Sequence, residues 1–214
     1  DFQMDLSGNI FLTGSVLNVT TLYDFKTVKL DTALNILWSA TYDGGSNLND
    51  FASGLCIDTA GNVIVTGCKN TTASAQNYVT VKYSKTGIQR WVTAFDGGTN
   101  APDSATAIAV RDTTQIYVTG YSYDSASVKN YYTIKYNGAG TMQWQIEFNS
   151  WGNGSDVATA IAVDSIGGII VAGQSDVYGS RAYTTVRYVE TGVITPPDPV
   201  DANNVFSFEE NRGQ

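Results

Sequence analysis

Apolar and polar residues alternate along short segments of this chain, and the same segments return several times. The alternation is clearest in Tyr78-Val79-Thr80-Val81-Lys82-Tyr83, and a matching segment occupies residues 131–136. A period of two residues with many Val, Ile, Thr and Tyr is typical of β-strands, and joints rich in Gly and Asn are typical of turns. In the copy that holds Tyr78, the pattern predicts four strands, at residues 52–57, 62–67, 78–83 and 89–95.

The copies follow one another at a fixed interval of 53 residues. Two features keep this step, a glycine that follows Thr or Ala and a tryptophan near the end of the copy. The glycines are Gly14, Gly67, Gly120 and Gly173, and the tryptophans are Trp38, Trp91 and Trp144. A fixed period of this length indicates a repeat architecture.

Four short antiparallel strands per repeat predict an all-β fold, a β-propeller of four consecutive four-stranded blades. The repeats cover about residues 1–51, 52–104, 105–157 and 158–194. The first strand of a repeat holds small residues, as in Ala52-Ser53-Gly54, which suit the crowded centre of a propeller. The tryptophan falls on the outer strand, where its ring would pack between neighbouring blades. Two alternatives stay open: a β-solenoid, which usually has shorter repeats and one strand direction, and a larger or shared ring that includes these blades.

The composition narrows the range of functions. The chain has 214 residues, 43% hydrophobic residues, a net charge of −8 and a pI near 4.3. These values indicate a folded domain and argue against binding to nucleic acid or insertion into a membrane. The absence of histidine removes the most common general base and His-ligated metal sites. The two cysteines, Cys56 and Cys68, fit either small buried positions or a single bridge.

The repeat motif resembles a known family. The motif reads Asp58-x-x-Gly61-Asn62-Val63-x-Val65-Thr66-Gly67, followed by Tyr78-x-Thr80-x-Lys82-Tyr83-x-x-x-Gly87-x-x-x-Trp91. It resembles the bacterial SBBP family of β-propeller repeats, and the resemblance covers roughly residues 1–192. It implies a propeller on secreted or surface-exposed proteins, generally without an assigned catalytic activity. The fourth copy departs from the motif, because Pro196 stands where the tryptophan should be.

Antiparallel geometry sorts the connections onto two faces. The connections between second and third strands, predicted as long loops at residues 15–24, 68–77, 121–130 and 174–182, lie on the same face as the loops between repeats. Variable loops on a rigid scaffold are a usual place for binding. On this face we select Tyr121, Tyr123, Asp124, Trp151 and Tyr178, because aromatic rings beside polar groups suit sugars or a protein partner. The alternative is that these rings pack locally.

Charged residues also recur from repeat to repeat. They are Lys29, Lys82, Lys135 and Arg187 on the third strands, and Asp50, Asp103 and Asp156 at the ends of the loops between repeats. A residue that recurs in every repeat usually stabilises the repeat itself, because a binding site is more often unique to one place. We therefore predict structural ion pairs or turn caps.

The loops between repeats, residues 43–50, 96–103 and 149–156, are rich in oxygen-bearing side chains and glycine. Such loops can bind Ca²⁺, but sharp turns have the same composition, and the spacing does not match an EF-hand. No metal ligand is therefore assigned and no cofactor is expected, with Ca²⁺ as the one candidate. Three glycosylation sequons, at Asn18, Asn70 and Asn153, fall on the same face, although such matches also arise by chance.

The end of the chain departs from the repeat. Residues 195–200 hold three of the four prolines and predict an extended linker. In residues 201–214, Val205, Phe206 and Phe208 give a strand-like pattern. This tail could complete its own propeller or add a strand to a neighbouring subunit, and the alternative is a disordered end. The first residues align with the middle of a repeat, which predicts a processed product or part of a longer chain.

The leading functional prediction is a non-catalytic extracellular or cell-surface propeller that serves structural assembly or adhesion. Its partners would be other copies of the chain or other surface proteins. The alternative is a carbohydrate- or protein-binding module that uses the long-loop face. A propeller glycosidase has less support, because the acids unique to one repeat, Asp124, Glu147 and Asp176, show no paired spacing.

Overall fold

The computed structural model describes residues 1–45, 47–72, 76–98 and 100–189, and it is all-β. These residues form four antiparallel sheets, which we number in chain order. They contain no helix, and so no helix that could cross a membrane. The all-β prediction and the four-fold repetition are confirmed. The linker at 195–200 and the tail, with Val205, Phe206 and Phe208, lie outside the described residues.

The first two sheets each have four strands in sequence order. The first sheet comprises β1 (Phe2–Met4), β2 (Ile10–Asn18), β3 (Leu22–Leu30) and β4 (Ile36–Tyr42). The second comprises β5 (Asp50–Ile57), β6 (Val63–Asn70), β7 (Gln76–Tyr83) and β8 (Gln89–Phe95). The antiparallel pairing within every sheet excludes the β-solenoid with a single strand direction.

The third sheet has the same order as the first two, and the fourth differs. The third comprises β9 (Ser104–Val110), β10 (Ile116–Tyr123), β11 (Lys129–Tyr136) and β12 (Met142–Phe148). The fourth comprises β13 (Asp156–Val163), β14 (Ile169–Val177) and β15 (Ser180–Tyr188). Within the described residues the fourth sheet therefore has three strands where the repeat predicts four, and β15 has one unpaired edge.

The predicted long loops between second and third strands are wrong in length. The strands continue into residues 15–24, 68–77, 121–130 and 174–182, so that β10 and β11 pair as far as Tyr123 and Lys129. β14 and β15 join through a two-residue turn at Tyr178 and Gly179, where φ is 49° and 81°. Backbone hydrogen bonds do not depend on apolar alternation, so pairing extends through polar residues that the sequence pattern assigned to loops.

Each sheet packs face to face on the next one along the chain. Between the first and second sheets, Phe11, Phe25 and Tyr42 meet Leu55, Val63, Val65, Val79, Val81 and Tyr83 in one buried cluster. Similar clusters lie between the second and third and between the third and fourth sheets. Burying a side chain of this size stabilises a fold by about 1.5–3 kcal/mol, so these interfaces hold the stack together.

Hydrogen bonds between neighbouring sheets recur with the repeat. The outer-strand residues Trp38 and Trp91 donate their indole N–H groups to the carbonyl oxygens of Lys85 and Gly138, at 3.1 and 3.0 Å. On the first strands, the hydroxyl of Ser53 donates to the carbonyl of Ala105, at 2.7 Å, and Thr106 makes the matching bond to Ala158. The prediction that the tryptophan packs between neighbouring repeats is confirmed for Trp38, Trp91 and Trp144.

The repeated glycine has a steric role at these interfaces. A Cβ atom on Gly120 would lie 2.0 Å from the carbonyl oxygen of Ser104 and 2.7 Å from the hydroxyl of Tyr78 on the preceding sheet. Gly67 and Gly173 are equally close to the backbone of their own first strands and to Phe25 and Tyr131, respectively. Glycine is therefore required where an aromatic ring of one sheet approaches the second strand of the next.

The stack does not close into a ring within the described residues. The outward side of the first sheet exposes Phe2 and Leu12, which are 66% and 38% accessible. The outward side of the fourth sheet exposes Tyr183, which is 70% accessible. The described residues therefore do not form a four-bladed propeller that closes on its own.

Candidate functional site

The recurring cations pair with aspartates of the first hairpin in each sheet. Lys82 Nζ lies 2.9 Å from Asp58 Oδ2. The same pairing joins Lys29 to Asp5, at 3.6 Å, and Arg187 to Asp164, at 2.7 Å. In the third sheet Arg111 takes the position of Asp58, and Lys135 Nζ lies 5.5 Å from the ring centre of Tyr117. The prediction of structural ion pairs is confirmed for three of the four cations.

Asp58 organises its hairpin as well as the ion pair. Its buried carboxylate accepts hydrogen bonds from the backbone N–H groups of Ala60 and Asn62 and from the Asn62 side chain. Burial raises the pKa of Asp58, but the bonds from Asn62 and the Lys82 ammonium outweigh it, and the pKa lies below its usual value. The group is therefore held ionised by the fold.

The recurring aspartates at the starts of the first strands cap the loops between sheets. Asp50, Asp103 and Asp156 are buried, and each accepts a backbone N–H from the residue six positions earlier, at 2.5–2.6 Å. Burial raises the pKa of Asp50 and of Asp103. The predicted turn caps are confirmed for all three aspartates.

Tyr121 and Tyr123 lie side by side on β10 and not on a loop. Their ring centres are 6.0 Å apart in an edge-to-face arrangement. Lys129 of β11 places its Nζ atom 4.2 Å from the ring centre of Tyr121 and 5.5 Å from that of Tyr123. The two rings form a cation–π contact within the protein, so a sugar stacking on Tyr121 would have to displace Lys129.

Asp124 is occupied by the turn that follows Tyr123. Its carboxylate accepts the backbone N–H groups of Ala126 and Val128, at 2.8 and 2.9 Å, which closes the turn between β10 and β11. The structure brings Asp124 next to the tyrosine pair, but its Oδ1 atom serves the turn.

Trp151 and Tyr178 are the most exposed of the predicted binding residues. They are 56% and 77% accessible. The turn at Tyr178 packs against the loop between the third and fourth sheets, because a Cβ on Gly152 would lie 2.8 Å from the Tyr178 backbone nitrogen. Two largely exposed aromatic side chains therefore lie on separate turns at the same end of the strands of the fourth sheet.

The three sequons lie at strand ends or in loops. Asn18 and Asn153 are exposed and Asn70 is partly buried. The Asn18 Oδ1 atom accepts hydrogen bonds from the backbone N–H and the hydroxyl of Thr20.

Neither cysteine forms a disulfide; Cys68 is buried and Cys56 is partly buried. Cys56 donates its thiol to the carbonyl of Ile108, and burial raises its pKa to about 11. The two cysteines therefore occupy small positions in the packing and do not form a bridge.

One group of carboxylates among the described residues has the spacing of a metal site. Ligand oxygens of Asp24, Asp43 and Asp50 lie within 4.8 Å of one another. The sequence pattern identified residues 43–50 as a loop that could bind Ca²⁺. It did not identify Asp24, which lies on the preceding hairpin. Lys129 was missed for the same reason, because its contact with Tyr121 depends on strand register.

No protein-family model matches this chain, and no curated protein matches it. The resemblance to the SBBP family therefore stays a prediction. Among solved structures, the chain is similar to the tail fiber of Staphylococcus aureus phage P68, at 12% sequence identity and a TM-score of 0.34. The match covers 90% of this chain and 50% of that one, so the chain spans half the length of the fiber protein. A similarity with this TM-score does not show a shared function.

Proposed function

We propose that this chain is a non-catalytic assembly module, in which the four sheets are consecutive propeller-type blades and a second copy of the chain extends the stack. The observation that carries the proposal is the pair of open sheet faces. Each resembles one half of the interfaces that already exist inside the molecule. A location on the cell surface or outside the cell is part of the proposal and follows from the family resemblance.

The outward face of the fourth sheet presents a projecting aromatic ring. Phe25, Tyr78 and Tyr131 occupy equivalent places on the first three sheets, and all three are fully buried by the sheet that follows. Tyr183 is the fourth member of this series and is 70% exposed. A single exposed tyrosine is ordinary, but this one has the position of a residue that packs between sheets.

The outward face of the first sheet presents the complementary recess. Gly14 is equivalent to Gly67, Gly120 and Gly173, each of which meets the aromatic ring of the preceding sheet. Nothing lies within 4 Å of a Cβ built on Gly14. Phe2 and Leu12 on the same face are exposed, where the equivalent Leu55 and Val65 are buried. Tyr183 of one copy would therefore pack over Gly14 of the next.

Such a contact is heterologous, because it joins two different surfaces. Contacts of this kind form closed rings where the rotation closes and filaments where it does not. The edge of β15 that is unpaired within residues 1–189 gives a second attachment point, since sheet edges accept added strands. We propose that the tail, with Val205, Phe206 and Phe208, supplies this strand to its own or a neighbouring fourth sheet.

Light scattering after size exclusion, over a range of concentrations, tests the assembly on the full chain. We expect the wild type to self-associate and Tyr183→Ala to weaken association by about tenfold or more, since buried aromatic anchors dominate interfaces. Gly14→Leu, which fills the recess, should have the same effect. Tyr178→Ala is the matched control, because Tyr178 is as exposed but lies on a turn. A wild type that stays monomeric, or a Tyr183→Ala chain that associates normally, would contradict the proposal.

A second function, glycan binding, is favoured by the exposure of Trp151 and Tyr178. Aromatic rings that are more than half exposed at one edge suit stacking on sugar rings. We expect Trp151→Ala to abolish any signal on a glycan array, while Tyr121→Ala leaves it unchanged because Lys129 already covers that ring. Silence of the wild-type chain on the array would count against this function.

A further inference from the structure

The junction between the first and second sheets concentrates negative charge. Asp24 lies on β3, Asp43 follows β4, and Asp50 begins β5. Their ligand oxygens lie within 4.8 Å of one another. None of the ion pairs among the described residues involves these three carboxylates. Among the described residues, the partners that offset the repulsion are backbone N–H groups, such as those that Gly44 and Gly45 donate to Asp50 and Asp43, and not an ion pair.

Asp24 adds an independent observation. Its side chain is 1% exposed, and its Oδ1 atom has no hydrogen-bond partner. The other oxygen accepts the hydroxyl of Thr21. A buried carboxylate oxygen without a donor is costly, and such atoms in native proteins often belong to a site for an ion or water.

The repeat supplies its own comparison. At the junction between the second and third sheets, Asn77 replaces Asp24, and its amide donates a hydrogen bond to Asp96, at 3.3 Å. At the next junction Asn130 takes this position and donates to Glu147. An amide supplies the N–H that a carboxylate cannot, so only the first junction combines three carboxylates at these positions.

We propose that the first junction binds a Ca²⁺ ion through Asp24, Asp43 and Asp50. Carboxylate oxygens are hard ligands and favour Ca²⁺ or Mg²⁺ over softer metals. Three carboxylate oxygens within 4.8 Å of one another can share one ion. Ca²⁺ accepts flexible geometry, whereas Mg²⁺ demands near-ideal octahedral geometry and usually keeps several waters, so a site built from protein carboxylates favours Ca²⁺. Bound there, Ca²⁺ would fix the end of the β2–β3 hairpin to the loop between the first two sheets.

Calorimetric titration of the chelator-treated full chain with CaCl₂ tests the site, with MgCl₂ in parallel. We expect one Ca²⁺ per chain, weaker binding of Mg²⁺, and a rise in melting temperature that EGTA reverses. Asp24→Asn, which copies the second junction, should weaken Ca²⁺ binding at least tenfold. Asp96→Asn removes a carboxylate equivalent to Asp43 at the second junction and should leave the affinity unchanged.

Circular dichroism of each variant separates loss of binding from loss of folding. If Asp24→Asn does not fold, Asp43→Asn replaces it, because Asp43 lies nearer the surface and should tolerate substitution. The proposal is overturned if Ca²⁺ produces neither heat nor a melting shift with the wild type. It is also overturned if the folded Asp24 or Asp43 variant binds Ca²⁺ as tightly as the wild type does.

Discussion

Replacing Gly120 with alanine is expected to lower the free energy of unfolding by about 3 kcal/mol. The added Cβ would lie 2.0 Å from the carbonyl oxygen of Ser104 and 2.8 Å from the Cα of Ala105. Both are backbone atoms of β9, next to the irregularity in its pairing with β10. They cannot yield as a flexible side chain would, so the strands must separate or the Tyr78 ring must leave its place. Equilibrium unfolding in denaturant measures the loss.

Gly14→Ala is the matched control for this prediction. It occupies the same repeat position, but nothing lies within 4 Å of the added Cβ. We expect a change within about 0.5 kcal/mol, as for most exposed substitutions. The measurement belongs at concentrations where the chain is monomeric, since the proposed contact with Tyr183 would crowd this residue in an assembly. Equal losses in both variants would show that glycine flexibility, and not the approach of β9, explains the motif.

Much of the fold could be predicted because the copies of the repeat all indicate the same set of strands. The interval between Gly67 and Gly120, and the alternation around Tyr78, fix the number of sheets and the order of strands. The strand ends could not be predicted, because backbone pairing continues through polar residues such as Asn130. The two open sheet faces could not be predicted either. A sequence period indicates that neighbouring copies contact each other, but it does not show whether the last copy contacts the first.

The candidate sites were harder to predict than the fold. Tyr121 and Tyr123 were identified as aromatic residues, but the lysine that covers them comes from the paired strand. Asp24 approaches Asp50 only because the β2–β3 hairpin ends beside the loop between sheets. Both contacts depend on register and on the bend of a turn. A sequence pattern identifies which residues share a face, and it does not show which of them touch.

Replacing Lys82 with methionine is expected to destabilise the protein by about 3 kcal/mol or more, because it leaves a buried carboxylate without its partner. The Asp58 side chain is fully buried, and the Lys82 ammonium lies 2.9 Å from it. Lys29→Met in the first sheet is the matched control. The Lys29–Asp5 pair is longer and partly exposed, so its loss should cost about 1 kcal/mol or less. The double variant Asp58→Asn/Lys82→Met should recover part of the loss, since no charge remains buried.

The pH dependence gives this prediction a second measurement. The pKa of Asp58 is lowered in the folded protein, so its contribution to stability is present above the unfolded pKa of about 3.9 and is lost as the pH falls through the folded value. Without Lys82 the folded pKa rises towards or above the unfolded one, and this acid-sensitive contribution shrinks or changes sign. Denaturation at pH 7 should therefore show a large difference between wild type and Lys82→Met, and denaturation near pH 3 a smaller one. A difference that stays constant between the two pH values would mean that the lysine stabilises the fold by packing and its hydrogen bond to Thr113, and not through the charge of Asp58.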